Sequence, residues 1–182
     1  MVTAGFFGKI PTRGDFVRHG LPGDLVRALD DWWQVVLSGS QARLGTAWTD
    51  IWMEAPIWRF LLPPGVCGTG AVAGLWLPST DKAGRLFPLT LAVTAPSWQA
   101  LSETGSFLDA AEAAGLVAVE QDVTPEQLAA ALERALAQAS GSVGPVQLPT
   151  WWTEGSALVA AGRRTTLAMP DTATFTSMLR ES

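Results

Sequence analysis

Apolar residues in the first third of the chain recur at the spacing of an amphipathic helix. Asp24 lies in the first turn of this segment. One helical face, at i, i+4, i+7, i+8 and i+11, is apolar throughout and consists of Leu25, Leu29, Trp32, Trp33 and Val36. We expect this helix to end at Ser38 and Gly39. A second helix, with Ser40 as its N-cap, is predicted to run to about Met53.

Shorter apolar runs without helical spacing follow in the middle of the chain. Residues 58–62, 70–77 and 86–94 are rich in aliphatic and aromatic side chains and are separated by Pro-Gly or polar loops. They predict three strands of a sheet, and residues 5–10 predict an opening strand that is stopped by Pro11. Apolar residues occupy both alternations of the 70–77 run, so we expect that strand to be covered on both faces.

The second half of the chain returns to helical patterns. Residues 107–120 are Ala-rich and helical, and residues 124–127 read Thr-Pro-Glu-Gln, the pattern of a capping box at the start of a further helix. Residues 157–161 and 165–169 are predicted to form a hairpin. A last helix is expected to begin at Asp171.

Helices on both sides of a central sheet, either mixed or antiparallel, indicate the α/β sandwich class. The 182 residues are 48% hydrophobic and 16% charged, so the chain can bury a sizeable core. Residues 1–182 are therefore expected to form a single domain. The net charge of −5 argues against nucleic acid and anionic membrane surfaces as partners.

Cysteine usage and segment hydropathy bear on the cellular compartment. The single cysteine, Cys67, cannot form an internal disulfide, which favours a reducing environment. Residues 1–10 lack the basic start and long apolar stretch of a signal peptide, and no segment has the roughly 18 uninterrupted apolar residues of a membrane span. We therefore expect a cytoplasmic protein without stable membrane insertion. One His and one Cys at distant positions do not make a metal site, and no cofactor is expected.

Three segments carry a resemblance to a known family. Residues 5–18 read GFFGKIPTRGDFVR, residues 55–60 read APIWRF, and residues 78–90 read PSTDKAGRLFPLT. In this order and spacing they resemble the TagF family, also called ImpM, of type VI secretion-associated proteins. The likeness is close over the first half of the chain, and it extends loosely to Trp151 and Trp152 in the second half.

This resemblance implies a three-layer α/β/α sandwich and a non-enzymatic accessory protein of type VI secretion, which uses a bacterial contractile injection machine. Members of the TagF family are described as post-translational repressors that act beside a threonine phosphorylation pathway. That pathway comprises a kinase, a phosphatase and a forkhead-associated (Fha) scaffold protein, and the Fha scaffold is the implied partner. The resemblance carries over no catalytic residue, no cofactor and no small-molecule substrate.

Two polar loops are the candidate partner-binding surface, one at residues 9–18 and one at residues 79–85. Their charged and hydroxyl members are Lys9, Arg13, Asp15, Arg18, Ser79, Asp81, Lys82 and Arg85. The basic residues offer a site for a phosphothreonine or an acidic partner loop, because arginine binds phosphate in a bidentate manner. Trp151 and Trp152 join the candidates because they lie beside a Gly/Pro-rich loop, where at least one indole should be exposed.

A purely structural interpretation of the same loops stays open. The second loop is then a turn in which Asp81 accepts amide hydrogen bonds, Gly84 is left-handed and Arg85 pairs with an acid such as Asp15. The three basic residues of the first loop are solvated charges in this interpretation.

Two further positions have expected partners or surroundings. Arg59 lies between two aromatic residues of a predicted strand, and we expect it to pair with Asp15 or Asp81. Trp32 and Trp33 both fall on the broad apolar helix face, which favours the core. The chain has nine tryptophans, a number that fits a Trp-rich core and a recognition surface equally well.

Two other functions compete with the regulator. In a small hydrolase or phosphatase helper, Ser79 would attack, His19 would act as base, and Asp81 or Asp15 would orient that base. The residues around Ser79 do not form the Gly-Xaa-Ser-Xaa-Gly elbow that such enzymes use. The third hypothesis is a structural subunit of the secretion machine, which would co-purify with other machine components in fixed stoichiometry.

Overall fold

Seven strands form one sheet in the computed structural model, which describes residues 1–181. The strands are β1 Thr3–Gly8, β2 Val17–His19, β3 Trp58–Leu62, β4 Ala71–Leu77, β5 Leu89–Ala95, β6 Thr150–Thr153 and β7 Gly162–Thr165. Their order across the sheet is β2-β1-β5-β4-β3-β6-β7, and every neighbouring pair is antiparallel. The α/β class is confirmed, and the sheet is the antiparallel one of the two predicted alternatives.

Five α-helices accompany the sheet within residues 1–181. They are α1 Gly23–Leu44, α2 Trp48–Met53, α3 Phe107–Glu120, α4 Pro125–Ala137 and α5 Thr172–Leu179. The predicted capping box of α4 is confirmed: the Gln127 amide donates to the Thr124 hydroxyl at 3.2 Å, and the Thr124 amide donates to the Gln127 side chain at 2.8 Å. Asp171 caps α5 by accepting a hydrogen bond from the Thr174 amide.

The predicted break at Ser38 and Gly39 is wrong, because α1 continues through both residues. The Ser38 hydroxyl donates to the Gln34 carbonyl and the Ser40 hydroxyl donates to the Leu37 carbonyl, so both serines bond back to the helix. Gly39 lies against α5, and a Cβ atom there would approach Thr172 Cγ2 within 2.4 Å. The glycine therefore permits close helix packing and does not end the helix.

The predicted hairpin is also misplaced, since β6 and β7 pair with each other and residues 157–161 form the connection. Val159 is buried in this connection, and its carbonyl accepts a hydrogen bond from the Ser156 amide at 2.8 Å. The apolar run that suggested a strand is instead a loop packed on the core. The short strand β2 was not predicted at all.

Buried side chains form two clusters that share the strands. One contains the indoles of Trp33, Trp52 and Trp76 together with residues of α1, α2 and α5. The other is mainly aliphatic and contains residues of α3 and α4. All seven residues of β4 are buried, and its side chains alternate between the two clusters, as the sequence predicted for a strand covered on both faces.

Candidate functional site

Two loops meet at one end of the sheet, because three strands end or begin there. Gly8, the last residue of β1, pairs with Leu89 at the start of β5, and Leu89 also pairs with Leu77 at the end of β4. Residues 9–16, which follow β1, therefore lie beside residues 78–88, which join β4 to β5. These two segments are called the two-loop surface.

An ion cluster of Lys9, Asp81 and Arg85 joins the two loops. It is called the buried ion cluster because Lys9 and Asp81 are buried, whereas the Arg85 side chain is 65% exposed. Lys9 Nζ is 3.0 Å from Asp81 Oδ2, and Arg85 Nε donates to the same oxygen at 2.7 Å. Asp81 Oδ1 accepts hydrogen bonds from the Ala83 and Arg85 amides, both at 2.9 Å. Burial alone would raise the pKa of Asp81, but these amide, ammonium and guanidinium donors outweigh it and hold the pKa well below its ordinary value.

Hydrogen bonds between the loops hold one against the other. The Ser79 hydroxyl donates to the Lys9 carbonyl at 2.7 Å. The Lys82 amide donates to the Arg13 carbonyl at 2.8 Å, and Arg85 Nη2 donates to the Gly14 carbonyl at 2.7 Å. Two side-chain-to-backbone bonds and one backbone-to-backbone bond therefore give the two loops one shared conformation.

The turn predicted for the second loop is confirmed in two features, the amide hydrogen bonds to Asp81 and the positive φ of 81° at Gly84. The predicted pairing of Arg85 with Asp15 is wrong, because Asp81 lies four residues before Arg85 in the same turn and takes that role. Lys9 is also not solvated, since it is only 8% exposed and pairs with Asp81.

The outer side of the two-loop surface is charged. Exposed side chains there are Arg13, Asp15, Lys82 and Arg85, and Arg18 of the adjacent strand β2 is exposed as well. Five of the eight polar candidates are thus open to solvent, whereas Lys9, Ser79 and Asp81 are buried. The structure brings the predicted residues together and divides them into an inner and an outer set.

Phe16 is a member of this site that sequence reasoning missed. It is 47% exposed, yet its ring stacks edge-on against Phe87 with 4.7 Å between centroids. Lys9 Nζ lies 5.1 Å from the centre of the Phe16 ring. The available signal was a large apolar side chain directly after Gly14 and Asp15 in a polar loop. A cleft of about 460 Å³ separates Phe16 and Arg18 from helix α1.

Arg59 pairs with neither of its expected partners. Its Nη1 is 2.7 Å from Asp109 and its Nε is 2.8 Å from Glu112, both on α3, and these three residues are called the strand–helix cluster. Burial lowers the pKa of Arg59, but the two carboxylates outweigh this and raise it. The prediction of pairing with Asp15 or Asp81 is wrong because α3 packs on the neighbouring strands β4 and β5 and presents its own carboxylates to Arg59.

The tryptophan pair lies on β6, and neither indole is fully exposed, whereas the sequence predicted at least one exposed indole. Trp151 is fully buried in β6, where it contacts Trp32 and Phe60 and its indole N–H donates to Thr166 at 3.2 Å. Trp152 is half-buried. Because β6 is separated from β1 by three strands, the pair does not join the two-loop surface.

Helix α1 carries the other tryptophan pair, which the sequence assigned to the core. Trp33 is fully buried, and Trp32 is half-buried against it, with 4.3 Å between the ring centroids. This prediction is confirmed for Trp33 and, in part, for Trp32. No helix within residues 1–181 is both long and apolar enough to cross a membrane.

A family model matches most of the chain, including the residues of this site. The model describes the TagF N-terminal domain, type VI secretion system-associated, and it matches residues 5–135. The chain belongs to this TagF family. The family resemblance of the three sequence segments is thereby confirmed, and the matched range includes the whole two-loop surface. Strands β6 and β7 of this TagF-family chain lie beyond it.

A solved structure is similar over almost the full length. The crystal structure of PA0076 from Pseudomonas aeruginosa PAO1 superposes with a TM-score of 0.81 at 32% sequence identity. The likeness covers 98% of the TagF-family chain and 94% of the PA0076 chain, so β6 and β7 fall within it. None of the curated proteins compared with the chain matches it.

Proposed function

We propose that this chain is a non-enzymatic accessory regulator of a type VI secretion system, acting by protein–protein binding. Its proposed partner is the Fha scaffold of the threonine phosphorylation pathway, and its proposed effect is post-translational repression. The family match supports a role in type VI secretion, because the TagF N-terminal domain is described by that association. Repression and Fha binding rest on the family resemblance.

The division of the two-loop surface into inner and outer residues carries this proposal. The inner residues Lys9, Ser79 and Asp81 bond to one another or to the backbone, so they shape the loops. The outer charges and Phe16 remain open to solvent and are available to a partner. Exposed aromatic and arginine side chains on a preformed surface are typical of protein-binding sites.

The same geometry disfavours the hydrolase hypothesis at Ser79. A catalytic serine needs a base that accepts its proton, whereas the Ser79 hydroxyl donates to the Lys9 carbonyl. The proposed orienting acid, Asp81, is already bonded to Lys9 and Arg85. His19 lies 3.5 Å from Glu133 of α4. These engagements support a structural role for Ser79 and Asp81 within a binding surface.

The proposal extends to architecture and compartment. Two core clusters, one with α1, α2 and α5 and one with α3 and α4, support a three-layer α/β/α sandwich acting as one domain over residues 1–182. We place the protein in the cytoplasm, where its single buried Cys67 requires no disulfide partner.

Titration calorimetry with the Fha scaffold from the same gene cluster tests the function. We expect saturable binding by the wild type and at least about tenfold weaker binding by Arg13→Glu/Lys82→Glu, because two exposed charges are reversed. Arg180→Glu, outside both loops, is the matched control and should bind like the wild type. Equal binding by the two variants would remove the two-loop surface as the site. Absence of binding by folded wild type would remove the Fha partner and favour a structural subunit.

A further inference from the structure

The sheet has an open edge at β7. The strand order ends there, so within residues 1–181 only β6 pairs with β7, and the opposite backbone edge of Gly162–Thr165 has no strand beside it. In a strand, alternate residues direct their N–H and C=O groups to either side. An unpaired edge of this kind is a template for another extended segment.

Two arginines flank this edge on opposite faces of the sheet. Arg163 lies over Trp152, with its guanidinium carbon 5.8 Å from the ring centre. Arg164 lies over Trp58 at 4.9 Å and donates to the Ser177 hydroxyl at 2.8 Å. Successive residues of a strand point to opposite faces, so one positive charge is held on each side of the edge. Neither arginine has an acidic partner within 4.0 Å in the described part of the chain.

Apolar side chains stand beside the two arginines. Leu167 is 89% exposed and Leu148 is 41% exposed. They flank the β6–β7 pairing, which continues to a hydrogen bond from the Thr166 amide to the Pro149 carbonyl at 3.0 Å. The edge therefore combines unpaired backbone, two positive charges and exposed apolar area.

We propose that β7 binds an extended segment of another protein that carries two consecutive acidic residues. Such a segment would add as an eighth strand. Its successive side chains alternate between the faces, so one acid meets Arg163 and the next meets Arg164. Apolar residues of the segment beyond the acids cover Leu148 or Leu167. The chain as a whole has a net charge of −5, so this basic edge is set apart from its acidic average.

A second copy of this chain fits the edge poorly. Pairing β7 with its own copy brings Arg163 and Arg164 of both chains together, and like charges on neighbouring strands are destabilising. This surface is also distinct from the two-loop surface, since β7 and β1 are separated by four strands. The inference therefore stands apart from the proposed Fha interaction.

A peptide titration tests the inference with the full chain. The probe is the fluorescein-labelled peptide TVTDEVTV, and binding is followed by fluorescence anisotropy. Controls are TVTKKVTV, which reverses the charges, and TVTDEVTV methylated at alternate backbone nitrogens, which removes strand pairing and keeps the charges. We expect the acidic peptide to bind at least about tenfold more tightly than either control.

Protein variants make the test reciprocal. We expect Arg163→Glu/Arg164→Glu to bind the acidic peptide about tenfold more weakly than the wild type and to bind TVTKKVTV more tightly than TVTDEVTV. Arg163→Lys/Arg164→Lys keeps both positive charges and should still bind TVTDEVTV more tightly than TVTKKVTV. Both variants are first checked for folding by circular dichroism. Fha binding, measured in parallel, is expected to be unchanged by either variant.

Further measurements can also overturn the inference. In an NMR titration, the amide signals that shift most should belong to residues 162–165. If the methylated peptide binds as tightly as TVTDEVTV, strand addition is excluded. If TVTDEVTV does not bind, the proposal is wrong and the two arginines serve to keep other strands from pairing with this edge. Sedimentation showing a dimer that Arg163→Glu/Arg164→Glu dissociates would assign the edge to a second copy and overturn the acidic partner.

Discussion

The buried ion cluster and the strand–helix cluster contain the same kinds of charged group in different surroundings. The Asp81 side chain is fully buried and four donors surround its two oxygens. In the strand–helix cluster the Arg59 side chain is 22% exposed and that of Asp109 is 76% exposed. Water can replace a partner in the second cluster but not in the first. Burial, more than the number of ion pairs, therefore decides which cluster fixes the local structure.

Removing Lys9, the buried cation of the buried ion cluster, should have the largest effect. Lys9→Met leaves the Asp81 carboxylate with Arg85 as its only cationic partner, so we expect the melting temperature to fall by about 10 °C. Arg13→Met, on the exposed side of the same loop, should change it by less than about 2 °C. Differential scanning calorimetry measures both variants. Equal melting temperatures would show that Lys9 contributes no more than a surface charge.

The buried cluster should also control acid stability. The pKa of Asp81 is lowered in the folded chain, so its ionised form stabilises the fold above the ordinary carboxyl pKa, and this contribution is lost as the pH falls towards the lowered value. Wild type should therefore exceed Asp81→Asn in unfolding free energy at neutral pH, and the difference should narrow below about pH 4. Urea titrations across pH 3–7 measure the difference in unfolding free energy between the two proteins. A difference independent of pH would contradict the ionised state of Asp81.

The strand–helix cluster should respond more weakly. Arg59→Met removes two partly solvated ion pairs but keeps most of the aliphatic side chain, so we expect a loss of about 3 °C in melting temperature. Raising the salt concentration to about 1 M should reduce this loss, because exposed charges are screened. The effect of Lys9→Met should persist at the same salt concentration. Similar salt sensitivity in both variants would remove the distinction between the clusters.

Among the buried contacts, the smallest effect is expected at Ser79. Ser79→Ala removes one hydroxyl that donates to the Lys9 carbonyl, a change of about 1 kcal/mol, which corresponds to a loss of about 3 °C or less. Fha binding should stay within about twofold of wild type, because Ser79 is buried beneath the surface. Calorimetric unfolding and titration measure the two quantities. Loss of secretion control by a variant that folds and binds normally would instead revive the hydrolase hypothesis.

Local features of the fold were predictable from the sequence. The capping box at Thr124 and the turn with Asp81 and Gly84 involve residues within four positions of one another, so the chain itself determines their geometry. The strands β3, β4 and β5 were found within three residues at each end. Apolar patterns specify such elements, because burial on one or both faces is visible in the alternation.

Features that depend on distant parts of the chain were not predictable in the same way. Arg59 meets acids 50 and 53 residues further on, and only the packing of α3 on the neighbouring strands β4 and β5 brings them together. The continuation of α1 through Gly39 depends on its contact with Thr172 of α5. At the candidate site, the sequence identified the two loops but not which residues are buried, because cross-links such as Lys82 to Arg13 arise only when the strands are paired.

The sheet order also sets a constraint on synthesis of the chain. Strand β1 pairs with the three-residue strand β2 on one side and with β5 on the other. Gly8 of β1 pairs with Leu89 at the start of β5, which lies 81 positions later in the chain. At about 5–20 residues added per second, roughly 4–16 s pass on the ribosome before β5 is complete enough to pair. During that interval Phe6 and Phe7 of the nascent chain have no sheet to cover them. Strand β1 is therefore made before the other strands of this sheet but takes its place beside β5 late.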